Sequence, residues 1–203
     1  MILNGFTGSN IYLVGLLVMV ISVILGMGVP GVAAYVIVQS VAVPVLLKAG
    51  VVPLAAHMFC LIYACLSNIT PPVAISCYVA AGIADANQTK TGLIAVRLAL
   101  TGFIVPLFFL ANPALLAGSS PATATLLAVL TAAAGTVMLS GGLEGWFMIK
   151  QHWVERILFV AAALLLLYPG TVTDIVGLCT SAVLIAVQLG RKKHSNNMQN
   201  AVM

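Results

Sequence analysis

Ser67, Asn68 and Thr70 stand beside Pro71 and Pro72 in the stretch Leu66-Ser67-Asn68-Ile69-Thr70-Pro71-Pro72-Val73, a polar island with long apolar sequence on either side. Proline has no amide hydrogen and its ring clashes with the preceding turn. The pair is therefore expected to stop an incoming helix near Asn68 and to let a new one begin at Pro71 or Pro72. In a bilayer, such a cut is tolerable only where the freed carbonyls and amides meet protein, water or a ligand. Carbonyl ends of the first half-helix, amide ends of the second and three neutral side-chain oxygens suit a small cation beside an anionic group. The chemistry outlined is transport rather than bond-making.

The elements that must position this island are long apolar runs. Residues 11–25 are apolar and end in Gly26-Met27-Gly28-Val29-Pro30-Gly31, where the glycines can take positive φ and the chain can reverse. Residues 32–47 then run apolar to Lys48. Each arm has roughly 16 residues, about 24 Å of helix, which is short of a full crossing. These lengths favour a re-entrant hairpin over residues 11–47 rather than one long kinked helix, with Pro44 bending the second arm near its base. Residues 51–84 form the second unit, cut by the island. They contain no glycine from Val51 through Ala81, so they read as one crossing made of two half-helices. His57 in the first half reads as a hydrogen-bonded packing residue rather than a ligand or proton carrier.

Composition fixes the class. Of 203 residues, 62% are apolar and 6% charged, which describes a polytopic helical membrane protein. The eight Lys and Arg lie near the ends of apolar runs, so the net charge of +4 reports topology rather than nucleic-acid binding. Cys60, Cys65, Cys77 and Cys179 have no CxxC spacing and lie in apolar sequence, which argues against a zinc site or a disulfide framework. The first ten residues lack Lys and Arg, so the basic flank of a secretory signal is missing and Met1 reads as an entry into the middle of a longer design.

Four further crossings are expected. Residues 89–112 carry Lys90 at the start, Arg97 snorkelling to the headgroups and Pro106 as a kink, and Asn112-Pro113 close the helix. Residues 122–139 are rich in Ala, Thr and Gly and end at Gly141-Gly142; the loop 144–156, with Trp146, Lys150, His152 and Trp153, suits a membrane interface. Residues 157–168 cross, Pro169-Gly170 turns the chain, and residues 172–189 cross again, with Asp174 in the first turn favoured by the helix dipole. Arg191-Lys192-Lys193-His194 then opens a polar tail over 190–203. With that tail cytoplasmic, alternation leaves Lys48 as the single Lys or Arg outside. Interchanging hairpin and broken helix would place all eight inside, and glycine placement decides for the first arrangement.

The order of a hairpin with a Gly-x-Gly-x-Pro tip, then a helix broken at Ser-Asn-Ile-Thr-Pro-Pro-Val and continuing Ala80-Ala81-Gly82-Ile83-Ala84, resembles the large membrane subunit of TRAP transporters. Leu25-Gly26-Met27-Gly28-Val29-Pro30, Thr91-Gly92, Phe103-Ile104-Val105-Pro106 and Asn112-Pro113-Ala114-Leu115-Leu116 are similar to the carboxyl-terminal half of the fused permeases that work with TAXI-type binding proteins. The resemblance covers residues 11–116; residues 121–189 are similar only in kind to the extra helices of the fused forms. It implies an ion-transporter-superfamily fold with one inverted repeat over 1–116, followed by carboxyl-terminal helices. It further implies cation-coupled, sodium-driven uptake of organic acids such as dicarboxylates across the bacterial inner membrane, with no other cofactor. A periplasmic substrate-binding protein, and the remaining permease half or a small membrane subunit, would be partners. Carried over, Gly26, Gly28, Ser67, Asn68 and Thr70 would bind the cation, and Pro30, Thr70, Pro71 and Pro72 would line the substrate.

Such permeases hold two inverted repeats, whereas this sequence has one Gly-x-Gly-x-Pro and one Thr-Pro-Pro. The expectation is a chain that does not transport alone. An intramembrane enzyme is disfavoured, because Ser67 and His57 lie on opposite sides of a helix break and no Gly-x-Ser-x-Gly or His-Glu-x-x-His occurs. The rival reading is a non-transporting scaffold or assembly subunit.

Overall fold

The computed structural model describes residues 10–112, 115–116, 121–168 and 170–200, and the elements among them are helices. The chain divides into two compact units, Met1–Ala122 and Thr123–Met203. In the first, α1 (Ile11–Gly26) begins at Asn10, whose side chain accepts the Tyr12 amide at 3.1 Å. It is followed by α2 (Gly31–Lys48), α3 (Pro53–Leu66), a short 3-10 turn (Ser67–Ile69), α4 (Ile75–Ile83), α5 (Gln88–Leu98) and α6 (Leu100–Ala111).

The core of this unit lies where α1, α2, α3 and α6 meet, around Val18, Val38, Leu46, Phe59 and Tyr63, none more than 2% exposed. The outward faces are equally apolar: Ile24, Val32 and Ile83 are 60%, 78% and 84% exposed. Water would penalise such a surface, and hydrocarbon does not, so apolar inside and out is the pattern of helices in lipid. Three helical stretches, Gly31–Lys48, Thr125–Glu144 and Val172–Lys192, are long and apolar enough to cross a membrane, and the α5–α6 pair makes a fourth if counted as one bent span. The protein is an all-α polytopic membrane protein.

Sequence expectation and structure differ at several points. At 18 residues α2 reaches through Lys48 and is long enough to cross unaided, whereas α1 has 16. The second half of the broken helix begins at Ile75 rather than at Pro71 or Pro72, because residues 70–74 form a turn closed by the Ala74 amide on the Thr70 carbonyl (3.1 Å). Ala74 itself has φ +32° and cannot be helical. Pro106 sits inside an unbroken α6, and the bend of 40° falls at Ala99 instead. The bend lets α5 follow α4 and the turn before it, where a Cβ added at Gly92 would stand 3.4 Å from Pro71 Cγ, while α6 follows α3. Near Pro106, the carbonyl of Phe103 accepts a hydrogen bond from the Tyr63 hydroxyl at 2.6 Å, which ties α6 to α3.

The second unit holds α7 (Ala122–Glu144), α8 (Trp153–Leu167) and α9 (Thr171–Asn200). Gly141-Gly142 do not end α7. They are packing positions, Gly141 against Phe147 and Gly142 against Phe159 and Val160, and the helix stops two residues later before Gly145, whose φ is +73°. Arg191-Lys192-Lys193-His194 continue α9 as helix instead of opening an irregular tail, and Glu155 of α8 pairs with Arg191. The expected stops at Asn112-Pro113 and Pro169-Gly170, the match at Ala114, the linker 117–120, and residues 1–9 and 201–203 fall wholly or partly outside the described residues.

Candidate site at the meeting of two backbone breaks

The hairpin turn is built from its glycines. The Met27 amide bonds to the Ile24 carbonyl (3.4 Å) and the Val29 amide to Gly26 (3.3 Å). Gly28 takes φ +81°, which an L side chain would strain. Pro30 then caps α2, giving its carbonyl to the Ala34 amide at 2.8 Å.

At the end of α3 the polar side chains turn back on the helix they terminate. Ser67 Oγ donates to the Ala64 carbonyl (2.6 Å), Asn68 Nδ2 to Cys65 (3.4 Å) and Thr70 Oγ1 to Leu66 (2.8 Å). Carbonyls of the last turn thereby gain side-chain donors. Each hydroxyl spends one hydrogen and keeps its lone pairs, and the amide oxygen of Asn68 is not used in its bond. Beyond the turn, the first amides of α4, those of Ile75 and Ser76, have no intrahelical acceptor. Tyr78 donates to the Pro72 carbonyl at 2.7 Å and so holds the turn to α4.

The two breaks meet. A Cβ added at Gly26 would stand 2.6 Å from Ser67 Oγ, so only glycine allows this approach. One at Gly31 would lie 3.6 Å from Cys65 Sγ and 3.9 Å from Asn68 Nδ2. Gly26 and Ser67 are both buried, whereas Asn68, Thr70 and Pro71 are half-buried. Gly28 is exposed, and a Cβ added there would meet Val73, at 3.4 Å, rather than Asn68. Pro30 and Pro72 are exposed, and Pro71 is backed by Gly92 of α5. His57 shares a 2.8 Å hydrogen bond with the Tyr35 hydroxyl, which joins α2 to α3.

One residue escaped sequence reasoning. Ser22, a turn before Gly26 on α1, is fully buried, and its hydroxyl has no hydrogen-bond partner. Its signal was slight: it is the single serine within an apolar run.

A bundle of apolar helices in which a chain reversal is pressed against a broken helix is the architecture of membrane transport proteins. The chain belongs to the family of the DctM component of tripartite ATP-independent periplasmic transporters, whose model matches residues 1–122. The isethionate TRAP transporter permease protein DctMQ of Oleidesulfovibrio alaskensis is 30% identical over 115 residues, which are 52% of this chain and 18% of that protein. The chain thus spans under a fifth of the length of that relative. No solved structure matches.

Proposed function

We propose that this chain supplies one wall of the transport site of a TRAP-type permease and couples entry of a cation, sodium, to uptake of an organic acid. The observation that carries the reading is the contact of Gly26 with Ser67, which presses the hairpin turn against the helix break. Neutral hydroxyl and carbonyl oxygens are the donor set a hard monovalent cation takes. Gly26, Gly28, Ser67, Asn68 and Thr70 supply them here. A cation held there, with the amide end of α4, favours a carboxylate or a similar anion along Pro30, Thr70, Pro71 and Pro72 without a buried Lys or Arg. That end begins at Ile75. The isethionate named for the relative is itself an organic anion, in keeping with this electrostatics.

In this reading residues 1–116 are one inverted repeat, with residues 11–47 re-entrant. Residues 121–189 add carboxyl-terminal helices, and the carboxyl terminus is cytoplasmic in a bacterial inner membrane. The complementary repeat, a small membrane subunit and a periplasmic binding protein complete the machine. Vesicles holding this chain alone should accumulate no labelled carboxylate, and vesicles holding the complete assembly should do so only in sodium. Thr70→Ala in that assembly is expected to lower sodium-dependent uptake about tenfold or more, the usual cost of disturbing a metal's ligand shell. Unchanged uptake would favour a scaffold subunit.

A further inference from the structure

We propose that the groove between the end of α7 and the start of α8 binds an anionic phospholipid, with the phosphate on Arg156 and an acyl chain along Ile157 and Val160. The site lies wholly in the second unit and is independent of the transport reading. A cavity of about 240 Å³ is lined there by Gly142 and Leu143 of α7 and by Trp153, Arg156, Ile157 and Val160 of α8. The four α8 residues are spaced three, one and three apart and so share one helix face. A Cβ added at Gly142 would stand 2.9 Å from Val160 Cγ2 and 3.1 Å from the Arg156 carbonyl, so the two helices touch at the groove. Trp153 and Ile157 are 76% and 64% exposed, so it opens away from the core of the unit.

Charge and depth both fit that occupant. Arg156 has a fixed charge and spends two of its five N–H donors on the Gly142 and Leu143 carbonyls, at 3.1 and 2.7 Å. Among the described residues no carboxylate is paired with it. Glu155, its neighbour in sequence, accepts the His152 amide at 3.2 Å and pairs with Arg191 instead. Donors therefore remain for phosphate oxygens, which a guanidinium binds in pairs. The apolar stretches Thr125–Glu144 and Val172–Lys192 both end at this level, beside the loop that carries Trp146 and Lys150. Trp, Lys and Arg gather where hydrocarbon gives way to water. Along α8, Trp153 lies about 4.5 Å to the water side of Arg156 and Val160 about 6 Å into the apolar run. Indole, guanidinium and aliphatic side chains thus follow the order of a phospholipid, phosphate at the interface and chain below. A small soluble anion would use the shallow end alone. An anionic lipid brings its phosphate without the positive group of a zwitterionic one, and a basic residue at the membrane surface favours it by about fivefold.

The test places the full chain in phosphatidylcholine nanodiscs and reads the fluorescence of Trp153. The chain has two tryptophans, so Trp146→Phe leaves Trp153 as the single reporter. Phosphatidylglycerol brominated in its acyl chains is titrated in, against phosphatidylcholine brominated in the same way, and bromine quenches an indole it touches. Half-quenching should need about fivefold less of the anionic lipid. Arg156→Gln should abolish that preference, whereas Lys150→Gln, which removes an exposed charge outside the groove, should keep it. Ile157→Phe fills the groove from an exposed position outside the α7 cap. It should lose most of the preference while melting close to the wild-type temperature, so the outcome does not hang on the folding of Arg156→Gln. Equal quenching by the two lipids in the parent protein would overturn the proposal, as would a preference that survives in either groove variant. A preference lost equally in Lys150→Gln would reveal general surface charge, and one abolished by millimolar inorganic phosphate a site for free anions; either result would also overturn it.

Discussion

The carboxyl ends of α3 and α7 are closed by opposite chemistry. At α3 the last carbonyls are met by Ser67, Asn68 and Thr70, all neutral. At α7 Arg156 forks over the end of the helix, Nε donating to the Gly142 carbonyl (3.1 Å) and Nη2 to Leu143 (2.7 Å). Its guanidinium also lies 5.1 Å from the centre of the Trp153 ring. A guanidinium has donors only and a fixed charge, so it saturates a helix end and repels cations. A hydroxyl gives one hydrogen and keeps acceptor capacity, so the α3 end remains able to coordinate a guest. Two helix ends of similar backbone polarity differ in whether the cap is also a plug.

The comparison can be broken from either side. Gly26→Val should have the largest effect, because its Cβ would stand 2.6 Å from Ser67 Oγ and 3.1 Å from Ser67 Cβ. Overpacking of that kind costs about 3 kcal/mol. The melting temperature of the purified chain should fall accordingly. The milder Gly26→Ala should be partly restored in stability by adding Ser67→Ala, which removes the nearer of the two atoms the new Cβ meets. A double variant no more stable than Gly26→Ala would show that the two breaks do not meet as described.

Arg156→Gln comes next. It withdraws two charged donors and the stacking on Trp153, and each hydrogen bond from a charged group is worth about 2 kcal/mol. Destabilisation should appear in the melting curve without a change in sodium response, since this cap takes no part in the site. A shifted sodium response would contradict the division of roles.

The smallest effect sharpens the contrast between two glycines with positive φ. Gly28→Ala meets only Val73, at 3.4 Å, and should cost about 1 kcal/mol of backbone strain. Gly145→Ala suffers the same strain and also brings its Cβ to 2.9 Å from Arg156 Nε, so it should be the more damaging of the two. Equal melting temperatures would mean that Arg156 moves freely and does not seal α7.

Much of this was readable beforehand, because the signals are local. The apolar runs, the glycine turn at 26–31 and the interruption at 67–72 follow from backbone chemistry, and each is found near its expected place. Pro71-Pro72 misled as to where α4 starts. Proline favours the first turn of a helix, but Ala74 in the left-handed region and the Thr70–Ala74 hydrogen bond keep residues 70–74 as a turn. Gly141-Gly142 misled in the other direction: glycine can end a helix, but here it makes room for Phe147, Phe159 and Val160.

From its order of residues alone the chain was bound to form apolar helices with two gaps in their hydrogen bonding, since hydropathy and the absence of a proline amide act within a few residues. Which groups face each other across those gaps was decided by packing. The approach of Gly26 to Ser67, the burial of an unpartnered Ser22 hydroxyl and the reach of Arg156 over α7 depend on how helices lie together. No local preference encodes that, because a missing side chain becomes a site only when another helix moves into the space it leaves.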